Sequence, residues 1–124
     1  MERSFLLGWL RQNGIRAPRQ VVDTDLLTRW CMAAAGQPVR ADYVPLEEAV
    51  AWFGLPPHRA HHALGDALAT AQLLLAAATK LSAGSPGEPP RPLSLSDLLG
   101  ADRALARLRH ERDPNPSGGR WRRD

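Results

Sequence analysis

His61-His62-Ala63-Leu64-Gly65-Asp66-Ala67, continuing through Leu68, Ala69, Thr70 and Ala71, is the stretch around which the chain is organised. It sets two of the four histidines and one carboxylate at the mouth of the longest helical pattern in the sequence. An Asp in an otherwise apolar run is a local conflict, and such conflicts mark sites or paired charges. The plainer readings are exposed cap residues at a helix start, or a His62–Asp66 pair four residues apart on one helix face. Such a pair is worth about a few tenths of a kcal/mol.

Working outward, the pattern from near His62 to Leu81 is apolar on most of its circumference, as expected of a helix packed between other elements. Before it lies a stiff connector, Leu55-Pro56-Pro57-His58-Arg59-Ala60, in which neither proline can continue a helix. Pro45 opens a helix through Phe53, with Leu46, Ala49, Val50 and Phe53 on one face and Gly54 closing it. A helix from Leu26 to Ala34, capped by Thr24 or Asp25, follows a short strand, Gln20-Val21-Val22-Asp23. Residues 2–13 read as an amphipathic helix with Phe5, Leu6, Trp9 and Leu10 on one face, ended by Asn13-Gly14.

After Leu81 the composition changes. Residues 82–92 are Pro- and Gly-rich and read as a linker. Leu93 to His110 reads as a short helix capped by Ser96, and residues 111–124 as a disordered tail. The expected core therefore ends near Leu81, which is small for a self-sufficient fold.

The net charge of +3 is unevenly placed. Residues 1–100 carry nine basic and nine acidic side chains, and the last 24 carry seven Arg against four Asp or Glu. The basic balance thus describes the C-terminal segment, which is either a solubilising tail or a weak, salt-dependent nucleic-acid contact. One cysteine, Cys31, excludes an intrachain disulfide and fits the cytoplasm, as a buried inert thiol. No signal peptide is visible. The run from Ala63 to Leu81 holds Asp66, Gln72 and Lys80, which argues against a membrane span.

Several chemistries fail on spacing. His58, His61, His62 and Cys31 match no common zinc-finger pattern. No Ser or Cys sits on a nucleophile elbow, and no glycine loop suits phosphate.

The pattern His61-x-Ala63-Leu64-x-Asp66-Ala67-x-x-Thr70-Ala71 resembles the third motif of the DnaQ-like (DEDDh) family of 3′–5′ exonucleases. The likeness extends over about residues 1–81, with the Leu-rich helix ending in Gly54, then a loop, then the motif and a long apolar helix. It implies an α/β, RNase H-like exonuclease fold, truncated to a mostly helical remainder with one or two short strands. It further implies removal of nucleotides from a nucleic-acid 3′ end, as by DNA polymerase III epsilon-like proteins. By the same likeness His61 is the general base and Asp66 a ligand in a two-ion Mg²⁺ or Mn²⁺ site. Hydrolysing a phosphodiester needs a nucleophilic hydroxide and charge neutralisation at phosphoryl oxygens, which two such ions supply. A histidine suits proton abstraction because its ordinary pKa of about 6.5 lies near working pH.

The sequence also departs from the family. The first motif, an Asp-x-Glu on an opening strand, is not found, and Val22-Asp23-Thr24-Asp25 stands in the wrong place to replace it. Glu2, before Arg3-Ser4-Phe5-Leu6, occupies the position of the second motif's Asp and is either a metal ligand or a helix-start carboxylate. The chain is thus expected to begin inside the family's domain, and a half-site of this kind to bind metal poorly. The implied partner is a single-stranded 3′ end, DNA being the first expectation, with a polymerase or other protein partner beside it. The rival reading is a catalytically inactive remnant whose exposed apolar faces make it an interaction module. On either reading the organisation is residues 1–81 as the exonuclease-like portion, 82–92 as linker and 93–124 as short helix and basic tail.

Overall fold

The computed structural model describes residues 3–16, 20–59, 61–84 and 86–114, and every regular element among them is helical. These are α1 (Arg3–Gln12), α2 (Thr24–Ala34), α3 (Leu46–Trp52), α4 (Ala63–Ala83), α5 (Leu95–Leu99) and α6 (Ala101–Arg112). The expected α/β, RNase H-like class is therefore corrected, because the described residues contain no strand. Gln20–Asp23 is an irregular lead-in to α2. A strand needs a neighbour for its N–H and C=O ladder, and no described segment supplies one.

Asp23 instead turns the chain into α2. Its Oδ1 accepts the N–H of Asp25 at 2.9 Å and of Leu26 at 3.4 Å, so Asp23, and not Thr24 or Asp25, is the N-cap. Asp23→Ala is expected to cost about 1 kcal/mol. An unchanged thermal melt in that variant would remove the cap from the account.

Asp25 is thereby free for a longer reach. Its Oδ1 accepts the Val44 N–H at 2.8 Å and its Oδ2 accepts from Arg29 at 2.6 Å, tying α2 to the segment that leads into α3. Helix α3 starts after Pro45 and ends at Phe53, with Gly54 in the left-handed region (φ 67°), as the sequence reading had it.

Helix α2 is the hub. It packs against α4 and α6, while α3 lies against α4 and α5 against α6. Leu27, Cys31, Ala77 and Ala101 are buried together, with Trp30, Leu74, Leu81 and Leu98 half-buried around them. The side chains at Ala77 and Ala101 are small, which lets the helices meet closely there. A second cluster joins Met32, Val44, Ala49 and Leu73.

The core accordingly does not stop near Leu81. Ala101, Ala104 and Leu105 of α6 are buried. At the far end of α6, Arg112 donates to Gln37 O at 2.6 Å and to Ala33 O, satisfying carbonyls where α2 ends. Nor is Leu93–His110 one helix capped by Ser96. Ser94 caps α5 reciprocally with Asp97, and the chain breaks at Gly100 before α6. The hydrogen bonds from Ser94, with Arg91 adding a smaller attraction, hold the Asp97 carboxyl below its ordinary range. The linker is closed into a loop as well. Ser82 O accepts the Arg91 N–H at 3.0 Å and Ser82 Oγ donates to Arg91 O at 2.7 Å. Residues 115–124, the rest of the expected tail, lie outside the described residues.

Burial pushes the Cys31 thiol up to about 12, against a smaller opposing pull from Lys80. Its Sγ lies 3.7 Å from Ala77 O. The thiol is held neutral in the fold while an unfolded chain would ionise near 9.0. Stability is therefore full below pH 9 and falls as pH rises above it. Native Cys31 should react with a thiol reagent at pH 8 at least about a hundredfold more slowly than in urea. Equal rates would contradict the burial.

Candidate functional site

The head of α4 is shaped by the loop before it. His62 is the N-cap: its Nδ1 accepts the Gly65 N–H at 3.3 Å, and its carbonyl accepts the Asp66 N–H at 2.8 Å. The expected His62–Asp66 side-chain pair therefore gives way to a cap. Gly65 sits where the loop comes close, and a Cβ there would lie 3.3 Å from Arg59 O.

Asp66 stands in the first turn of α4, where the helix dipole favours a carboxylate. Its side chain is about a third exposed and pairs with a different histidine from the one the motif suggests. His58 Nε2 lies 3.1 Å from Asp66 Oδ1, and the His58 side chain is only 11% exposed. Spacing gave no hint of this contact. His58 is eight residues from Asp66, at the end of the proline-bearing connector, and the left-handed turn at His61 lies between them. The Asp66 carbonyl also accepts the Thr70 hydroxyl at 2.7 Å, so the motif's threonine is spent on its own helix.

His61 is exposed, with no ring nitrogen within ion-pairing distance of Asp66. Its backbone is left-handed at φ 59°, and among the described residues it is the one non-glycine in that region. Such a conformation costs about 1 kcal/mol or more and is retained where the surroundings impose it, commonly at functional sites. The structure thus brings His58 and Asp66 together, and leaves His61 at the same mouth with its ring in solvent. Glu2, the other expected ligand, lies outside the described residues.

The fit to divalent metal can be judged on the donors. Mg²⁺ requires near-octahedral oxygen coordination. Among the described residues no three His, Cys, Asp or Glu side chains are grouped to hold an ion, and one Asp66 oxygen is already engaged by His58. These residues by themselves do not fit the expected two-ion site.

One face of α4 next to the mouth is apolar and open. Leu64, Leu68 and Leu75 are 74%, 59% and 68% exposed and fall on one stripe of the helix. No described helix is long and apolar enough to cross a membrane.

No protein-family model, curated protein or solved structure matches the chain. The functional reading therefore rests on the residues at the head of α4.

Proposed function

We propose that the segment His61–Ala71 is the histidine-and-aspartate part of a 3′–5′ exonuclease centre acting on single-stranded nucleic acid, DNA in the first instance. The observation that supports this most is His61, an exposed imidazole kept in a costly left-handed turn directly before a helix whose first turn carries Asp66. A structural turn would be served better by glycine. In this reading His61 takes a proton from the attacking water. The water oxygen bonds to the terminal phosphorus, the bond from phosphorus to the preceding 3′ oxygen breaks, that oxygen takes up a proton to become the new 3′ hydroxyl, and a nucleoside 5′-monophosphate leaves. A dependence on Mg²⁺ or Mn²⁺ belongs to the proposal and requires carboxylates beyond the described residues, Glu2 among them. A polymerase or other protein partner and a cytoplasmic setting also belong to it. The single buried thiol supports the latter.

The reading is tested on the protein expressed from the earliest in-frame start at or before Met1, with a 5′-labelled single strand and Mg²⁺ or Mn²⁺. Progressive shortening from the 3′ end is expected, and its loss in Asp66→Ala. A strand left intact with both ions would refute it.

The open stripe Leu64, Leu68 and Leu75 favours a second reading, in which α4 docks on a protein partner and the site is inactive. A stop codon close upstream of Met1, together with an inert 124-residue chain, is the result that would select it.

A further inference from the structure

A second site lies away from the head of α4, between α2, the α5–α6 break and the end of the linker. It is a groove of about 590 Å³, within the size range of small-ligand sites, and its lining includes Trp30, Arg91, Asp97, Gly100, Arg103 and Arg107. Three arginines from two parts of the chain line it. Arg103 and Arg107 are one turn apart on α6, a like-charge spacing that is mildly unfavourable in a helix. The Arg91 backbone is held by two hydrogen bonds with Ser82, one to its carbonyl and one from its hydroxyl.

Among the described residues, none of the three guanidiniums is in a salt bridge, whereas Arg29 and Arg40 both are. The one carboxylate in the lining, Asp97, already accepts from Ser94 N and Ser94 Oγ, each at 2.9 Å. Three positive charges therefore face one negative charge. Gly100 leaves the space that Arg103 uses, since a Cβ there would meet its guanidinium at 3.3 Å. Trp30, half-buried against the core, also lines the groove.

We infer that this groove binds a nucleotide, with phosphates on Arg91, Arg103 and Arg107 and the base against the Trp30 indole. Guanidinium forks match phosphate oxygens two at a time, and an indole gives a planar apolar surface on which any base stacks. An acidic peptide would satisfy the arginines and leave the indole unused. The same chemistry is offered by a free nucleoside triphosphate and by one unit of a single strand. The inference does not depend on the exonuclease reading, because it uses none of the residues at the head of α4.

The test is fluorescence anisotropy of the full chain in EDTA, so that binding is read without hydrolysis. The probes are a fluorescein-labelled oligothymidylate and a fluorescent ATP, with inorganic tripolyphosphate as competitor. Binding of either probe supports the site, and the tighter of the two names the source. Arg103→Glu with Arg107→Glu should weaken binding by about tenfold or more, and Arg91→Ala should lower the salt slope of strand binding by about 0.7. Trp30→Phe should keep the affinity, and Trp30→Leu should lose about fivefold or more, in keeping with a lost stacking contact. If Trp30→Leu does not fold, the two arginine variants decide, since surface changes of this kind leave stability nearly unaltered. The proposal falls if neither probe binds, or if charge reversal changes nothing. It falls equally if binding is lost only when Arg120, Arg122 and Arg123 are replaced by Ser, or if tripolyphosphate competes as well as unlabelled ATP.

Discussion

His61→Ala is expected to lower the rate of 3′-end shortening by about 10²–10⁴-fold, the usual contribution of a positioned general base. His61→Gly should lose as much activity while making the protein more stable. Glycine adopts the left-handed turn at φ 59° without the penalty a side chain incurs there, and the gain should be about 1 kcal/mol. Thermal melts and the nuclease assay on the same pair of variants separate the two effects. A residue kept only for its turn would give glycine the advantage in stability and no loss in rate, and that pattern would remove His61 from the chemistry. Asp66→Asn completes the series. It keeps the size of the side chain and removes its charge, so a full rate in that variant would remove the carboxylate from the site.

Leu27→Ala carries the largest expected effect on stability. Leu27 has no exposed surface and lies where α2 meets α4 and α6, beside Cys31, Ala77 and Ala101. Removing three carbons from such a position costs about 2–5 kcal/mol, because neighbours held by three helices collapse only partly into the space. For a domain of this size that is a drop in melting temperature of roughly 10 °C or more. In urea the midpoint should fall with the slope unchanged. Leu95→Ala, at a leucine that is 59% exposed, serves as the comparison and should change stability by less than about 0.5 kcal/mol. Equal costs at the two positions would contradict the packing of α2 as the hub.

Much of the local structure was legible. Leu46, Ala49, Val50 and Phe53 recur at helical spacing and Gly54 ends the pattern, so α3 appears within a residue of its expected bounds. The start of α4 was equally plain, because an apolar run preceded by prolines has few other conformations, though the helix runs two residues past the expected end at Leu81. Caps were less so. Asp23, Thr24 and Asp25 all have the chemistry of an N-cap, and which one serves was decided by the Val44 N–H, which draws Asp25 elsewhere. The strand expected at Gln20–Asp23 failed for a similar reason: its two β-branched residues favour extended backbone, but a sheet needs a second strand.

Taken alone, the sequence determined α1 to α4, the breaks at Gly54 and the prolines, and the placing of a histidine and an aspartate at the head of α4. Those follow from periodicity and from backbone preferences that act within a few residues. Only the tertiary structure decided that Asp66 pairs with His58, that Arg91 joins Arg103 and Arg107 around Trp30, and that α6 closes the core on α2. Each of these joins residues whose meeting depends on how the chain turns between them. No propensity at either end encodes such a meeting, which is settled by the burial of Leu27 and its neighbours.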